Sequence, residues 1–368
     1  MRMRLSCIVI ALTLSTHLFG AVIDTTDMTR EENYHQEHGT NFLHKIYELV
    51  KTFSAVDTDY VEPQHYNYTF MLQNTNSYEL YQLRNETGGK IVFAPEPAYK
   101  LGPYFGWRWI FLGYTIDLAH LNDNNGRLDF NLSLYSNQIG IDLFYRKSGN
   151  SYRINSITFE KPYDTSAMSG TRFDGFRTSV KGFNIYYIFN HQKFSYPAAY
   201  SQSTVQRRSC GSLIAGIGYT KHKLNIDWLK LDDMIKHRLD DAYSSEIIDT
   251  TIVTSKVDYT DYSVSTGYAY NWVFAHNWLL DVSLQLGLAY KHSNKGTQTA
   301  AAEYHKDFHF RNFNLDGITR LGLVWNNTKW FAGANAIFHT YNYRKSKFST
   351  NNIFGNVNIY VGFNFGKR

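Results

Sequence analysis

Residues 355–368, G-N-V-N-I-Y-V-G-F-N-F-G-K-R, close the chain and decide how the rest is read. Val357, Ile359, Val361, Phe363 and Phe365 share one parity, and Asn356, Asn358, Tyr360, Gly362 and Asn364 share the other. A helix would smear these residues around its circumference; a strand separates them onto two faces. One face is apolar and the other is polar yet almost uncharged. The same alternation recurs in 183–189, 213–219, 262–274, 280–288 and 313–325. Soluble strands place Lys, Glu or Arg on their wet face, whereas these polar faces are rich in Gly, Ser and Asn. The pattern predicts an all-β fold, a transmembrane antiparallel up-and-down β-barrel of about 12 to 14 strands with a short N-terminal helix. By parity, Val357, Ile359, Val361, Phe363 and Phe365 face lipid. Asp261, Asn271, Asp281, Gln285, Asp316, Arg320, Asn356 and Asn358 line the lumen.

Composition agrees with that class. Aromatic residues make up 17% of the 368, with 29 Tyr and 25 Phe. Tyr and Trp favour membrane interfaces. Mean hydropathy is nevertheless −0.39, as expected when each outward apolar residue is followed by an inward polar one. The net charge of +5 is scattered, so no nucleic-acid footprint is evident. Cys7 and Cys210 are the two cysteines. Cys7 lies in a segment read as cleaved, which leaves no intramolecular disulfide.

Residues 1–21 read as an export signal, with Arg2 and Arg4, an apolar stretch Leu5–Leu14, and Gly20-Ala21 as small residues for cleavage. That stretch is shorter than the roughly 20 residues a helical span needs. Residues 22–62 are expected to form a periplasmic segment containing an amphipathic helix at 41–53, and 63–368 the barrel. His35, Glu37 and His38 are a weak metal cluster, because no rigid element holds them. Export implies the outer membrane of a Gram-negative bacterium, with membrane lipid, lipopolysaccharide and the barrel-assembly machinery as partners, plus an unidentified periplasmic partner.

Short strands are expected at 66–73 and 78–84, separated by a turn at Asn74-Thr75-Asn76-Ser77, and at 90–94. A longer one is expected at 104–118. Between 128–135 and 139–145 the apolar parity switches, by a turn at Ser136-Asn137-Gln138 or by a β-bulge. Tight connectors at 275–277 and 326–329 are flanked by Trp272, Trp278, Trp325 and Trp330. Segments 231–256, 291–305 and 344–350 are long and polar. Short periplasmic turns and long external loops put the tight connectors inside and these three outside. Segment 193–211 is long yet falls on the periplasmic side, as a plug or docking loop.

No nucleophile elbow, phosphate loop or paired-Cys zinc pattern occurs. His305, Asp307 and His309 share a strand face, but a polar strand end explains them more simply. Arg207-Arg208 and Arg344-Lys345 with Lys347 are small basic clusters; the second could pair with lipid phosphates. No cofactor is implied.

The stretches K-L-G-P-Y-F-G-W-R-W-I-F-L-G-Y-T-I-D-L (100–118), S-L-Y-S-N-Q-I-G-I-D-L-F-Y-R-K-S-G-N (133–150) and K-G-F-N-I-Y-Y-I-F-N-H-Q-K-F-S-Y-P-A-A-Y-S-Q-S-T (181–204) resemble the family called domain of unknown function 4421. Y-A-Y-N-W-V-F-A-H-N-W-L-L (268–280) is similar to it too. The resemblance implies a Gram-negative envelope protein and brings no catalytic residues. The expected function is therefore a passive pore or structural envelope protein. The alternatives are an interaction module docking through 193–211 and a lipid-modifying enzyme.

Overall fold

The computed structural model describes residues 56–85, 88–96, 98–107, 110–113, 116–117, 128–148, 152–159, 163–239, 256–293, 313–345 and 348–367. The expected export signal, the helix at 41–53 and the histidine groups at 35–38 and 305–309 lie outside these residues. Strand β1 (Val61–Pro63) precedes β2 (Tyr66–Asn85), β3 (Lys90–Pro95), β4 (Ala98–Trp107), β5 (Ile110–Gly113) and β6 (Ile116–Asp117). Next come β7 (Leu128–Tyr135), β8 (Ile139–Lys147), β9 (Tyr152–Thr158), β10 (Thr171–Arg172) and β11 (Phe176–Ile188). Helix α1 (Tyr196–Tyr200) and β12 (Thr204–Gln206) lead to β13 (Cys210–Ile226) and helix α2 (Trp228–Arg238). The chain ends in β14 (Lys256–Ala275), β15 (Trp278–Ser293), β16 (Phe313–Asn326), β17 (Trp330–Lys345) and β18 (Phe348–Lys367).

From β13 to β18 each strand pairs antiparallel with the next, and β18 then pairs with β2 from Lys367↔Tyr66 to Phe348↔Asn85. The far side of β2 takes β4 along one half and β3 along the other. In the opposite direction β13 pairs with β11, β11 with β8, and β8 with β7. Among the described residues the sheet has sixteen strands; setting aside β3, β9 and β10 at one end and taking β5 and β6 as halves of one leaves a wall of twelve. The sheet curls until its flanks face each other: Ser77 Oγ (β2) and Lys100 Nζ (β4) donate to Asp129 Oδ2 (β7) at 2.7 and 2.9 Å. The result is an antiparallel up-and-down β-barrel.

Side-chain parity divides the wall cleanly. Val264 is 67% exposed on the outside, while Asp261 on the other parity of β14 is 2% exposed. From Tyr262 to Trp272 the strand rises about 33 Å, which a tilt of about 40° reduces to a band about 25 Å tall. Phe183, Tyr219, Tyr262, Tyr290 and Phe313 are direct ladder partners across neighbouring strands and edge the band at one end. Ring centroids along this row lie 5.8 Å (Phe183–Tyr219), 5.5 Å (Tyr219–Tyr262) and 5.4 Å (Tyr290–Phe313) apart. Trp272, Phe274, Trp278, Trp330 and Phe365 edge it at the short-turn end, all exposed.

Beyond the first aromatic row the polarity inverts. Lys181, Lys221 and Lys223 now point outward, and Tyr81, Phe176, Leu224, Ile226 and Tyr259 point inward. These inward residues pack with Phe93 and Tyr152 from β3 and β9 and with Leu231 and Ile235 from α2. This is ordinary soluble-protein patterning, and it caps one end of the barrel with an apolar core.

Several sequence expectations are corrected. The stretch Asn74–Ser77 does not turn; it lies within β2 and pairs with β18 from Ile359↔Asn74 to Asn356↔Ser77. Its outward amides are held within the sheet, Asn76 Nδ2 donating to Asn74 Oδ1 at 2.9 Å and Asn74 Nδ2 to the Lys100 carbonyl of β4 at 3.3 Å. Residues 104–118 are not one strand, because β4 folds back onto β5 with Trp107 opposite Ile110. The parity switch at 136–138 is a tight turn, where Ser136 N donates to Ile139 O at 2.9 Å. Segment 231–256 opens as helix α2, capped by Asp227, whose carboxylate accepts from Lys230 N. The connection at 344–350 is short, since Lys345 pairs directly with Phe348.

Inward aromatics lie over inward glycines of the neighbouring strand. Tyr186 is the ladder partner of Gly140, where an added Cβ would sit 2.0 Å from the ring. Gly140→Val should therefore displace Tyr186 and cost about 1–3 kcal/mol. The readout is a lower temperature for loss of folded gel mobility; an unchanged temperature would contradict this packing.

Candidate functional site

The inner face of the barrel is where polar chemistry gathers, and it is filled from one end by the chain itself. Between β11 and β13 the chain turns inward as α1. Ser195 caps α1 with its Oγ accepting from Ala198 N at 3.3 Å, and Pro197 fits the first turn. Gln202 then takes φ 59 to redirect the chain toward β12, which pairs with β1.

This insertion is bound to the wall mostly by hydrogen bonds. Tyr196 Oη shares a 2.6 Å hydrogen bond with Ser283 Oγ, and Tyr200 Oη donates to Asp281 Oδ1 at 2.5 Å. Asn271 Nδ2 donates to Ser195 O and to Gln206 Oε1, both at 2.9 Å. Asn326 Nδ2 donates to Gln202 Oε1 at 3.0 Å, and Gln202 Nε2 donates to Tyr360 Oη at 2.9 Å. Ala198 and Ala199 pack against Leu279, Val324, Phe331 and Tyr360. Glu62 of β1 forms an ion pair with Arg207 and lies 2.9 Å from His65 Nε2. Burial works to raise its carboxyl pKa, but these hydrogen-bonded partners hold it below the ordinary value.

Three ion-pair groups lie on the inner face: one spans the lumen between β16 and β8, one links the neighbouring strands β14, β15 and β16, and one joins β7 and β8 to β4. Arg320 pairs with Asp142, with its guanidinium 4.6 Å from the Tyr186 ring centroid. Ser133 Oγ also donates to Asp142, at 2.7 Å. Lys291 Nζ lies 2.9 Å from Asp316 and 3.2 Å from Asp261, with Tyr259 and Tyr341 rings beside it. Asp129 is held by Lys100 at 2.9 Å and Arg146 at 3.2 Å, and Arg146 also donates to Asn356 Oδ1 at 2.7 Å. A small polar cleft, lined in part by Asn184, Thr220, Ser265, Asp316 and Tyr341, remains among them. Its lining Asn184 Nδ2, Ser265 Oγ and Asp316 Oδ2 have no protein partner, so it suits a small polar guest better than an apolar one.

Asp261, Asn271, Asp281, Gln285, Asp316 and Arg320 are buried on the inner face, and Asn356 and Asn358 are half-buried there. Asn271 and Asp281 touch the inserted segment, Asp261, Asp316 and Arg320 join ion pairs, and Asn358 bonds to Gln73 and Asn335. Ile359, Val361 and Phe365 are exposed on the outer face, with Val357 and Phe363 half-exposed. Sequence reasoning missed Asp142, Arg146 and Lys291. Asp142 sits on the parity opposite Ile141 and Leu143, a signal that was readable. Lys291 continues the inward parity of β15 past the point where a loop was expected. Among the described residues no group of His, Cys, Asp or Glu is arranged to hold a metal ion. None of the described helices is long and apolar enough to cross a membrane, which says nothing of a barrel.

The chain belongs to the family described as Domain of unknown function (DUF4421), whose profile matches residues 55–365. No curated protein matches it. Among solved structures, the TodX deltaS2S3 mutant monoaromatic hydrocarbon channel is similar at 8% identity, covering 81% of this chain and 91% of that one, with a TM-score of 0.24. The transport unit of the autotransporter AIDA-I from Escherichia coli is similar at 10% identity, with coverages of 81% and 90% and a TM-score of 0.32. The outer membrane protein OprG from Pseudomonas aeruginosa is similar at 7% identity, with coverages of 82% and 98% and a TM-score of 0.22. Likenesses this distant carry no argument about activity.

Arg320→Met should strand the buried Asp142 carboxylate and cost about 3–5 kcal/mol, whereas Arg320→Met with Asp142→Leu should recover most of it. Additive losses in this double-mutant cycle, followed by urea unfolding, would show that the pair is not coupled. Protonating Glu62 should loosen β1. Because its folded pKa lies below the unfolded one, its stabilisation is complete above the ordinary carboxylate range and is lost as pH falls through the folded value. Proteolysis at 57–64 should therefore speed up below about pH 4, and a rate independent of pH would contradict the ion pair.

Proposed function

We propose that this family member is a sealed outer-membrane β-barrel of a Gram-negative cell, acting as a structural envelope protein rather than an open passive pore. On this reading residues 1–21 direct export, 22–62 lie in the periplasm and 63–368 form the barrel. The apolar band, about 25 Å tall between aromatic edges, supports the membrane setting, because that height suits a bilayer's hydrocarbon interior. On this reading Val357, Ile359, Val361, Phe363 and Phe365 face lipid and the short turns lie in the periplasm.

The observation that carries the sealed reading is the lumen itself. Arg320 is 0% exposed and Lys291 is 2% exposed although both sit on the inner face of a barrel wall. A water-filled channel would leave such side chains hydrated. Docking through 193–211 has less support, because Phe194–Ala199 and Thr204–Gln206 are buried within the barrel. Within that segment Lys193 and Arg208 flank the Tyr60 ring.

Purified protein in a planar bilayer should show no steady conductance at modest voltage. A stable ohmic current would overturn the sealed reading and restore the pore.

A further inference from the structure

Just past the aromatic row, the outer wall of β8, β11 and β13 carries a concentration of cations that barrel formation does not explain. Lys181 follows Phe183 and Lys221 follows Tyr219, and the two lysines are direct ladder partners. One pair of residues further along, Ser179 is flanked in the ladder by Lys147 on one side and Lys223 on the other. Lys147, Lys181 and Lys223 are exposed and Lys221 is half-buried. Asp258 is the one carboxylate paired with them among the described residues, 3.9 Å from Lys221 and 3.8 Å from Lys223. Like charges placed opposite each other on a sheet repel, so the cluster calls for an anion from outside the chain. The feature is local. Along the same row, Tyr262 is followed by Thr260 and Tyr290 by His292.

We propose that Lys147, Lys181, Lys221 and Lys223 form a binding site for the phosphate-bearing headgroup of a membrane lipid. The inference rests on the membrane-barrel reading above, which sets the cluster at headgroup depth. Acyl chains of the same lipid would lie along Leu143, Ile185 and Ile217, which are 36%, 36% and 56% exposed directly below. Basic side chains at a membrane surface attract anionic lipid in this way, and the aromatic row gives the site its apolar floor.

The test is native mass spectrometry of the detergent-solubilised full chain, titrated with a bis-phosphorylated glycolipid, phosphatidylethanolamine or inorganic phosphate. Wild type should hold the bis-phosphorylated lipid about tenfold more tightly than K147Q/K181Q/K221Q/K223Q, and the all-arginine counterpart should retain the affinity. Equal affinity of wild type and the glutamine variant would overturn the proposal, as would inorganic phosphate binding as tightly as the lipid. If the glutamine variant loses its heat-modifiable mobility, the same comparison is made with K181Q/K221Q, where a loss of about threefold is expected and no loss refutes the site. Failure of wild type itself to insert into vesicles would instead refute the barrel reading.

Discussion

The ladder between β2 and β18 joins the first wall strand to the last, and the remaining architecture depends on it. Backbone amides and carbonyls that face hydrocarbon have no water to turn to, so each must find its partner within the sheet. The pairing runs from Lys367↔Tyr66 to Phe348↔Asn85 and leaves neither terminal strand with an open edge there. Because β2 spans 20 residues, it can serve β18 on one side while dividing its other side between β4 and β3. That division is where the barrel wall gives way to the apolar cap.

Curling a sheet this way brings inward side chains from distant strands together, and the chain fills that space rather than leaving it to water. Small inward residues such as Gly140 let rings lie flat, and those rings in turn flank cations, as Tyr186 flanks Arg320. Buried ions are tolerable only when paired, and each of the three central groups balances Arg or Lys against Asp. The inserted helix α1 completes the filling with hydrogen bonds more than apolar contacts, so its seat is specific in direction as well as in shape.

Much of this was legible from parity. Strict period-two alternation in 262–274 and 280–288 leaves only one way to face the apolar set outward, so Asp261, Asn271 and Asp281 were assignable to the inner side. Turn-residue chemistry misled at Asn74–Ser77, where four turn-forming residues sit mid-strand because neighbouring strands satisfy them. It was silent at Trp107, where the chain reverses without Gly, Pro or Asn. Residue type alone could not mark Tyr186, Tyr259 and Tyr341 as lumen filling, since aromatic residues serve both there and as membrane-edge rings; only their parity did. The pairing Arg320–Asp142 depends on the curl of the sheet, and pattern along one strand carries no information about the strand across the lumen; Lys291–Asp316 joins neighbouring strands and depends on their register.

The central claim is a wall with lipid outside and packed protein inside. Single-cysteine spin labels through residues 261–272 of β14, with Cys210 replaced by Ser and the protein in vesicles, test it most directly. Oxygen accessibility should peak at the even positions, and the odd positions should be shielded from both oxygen and a water-soluble nickel chelate. Nickel access at the odd positions would reveal a hydrated lumen, and loss of the two-residue period would contradict the barrel wall itself.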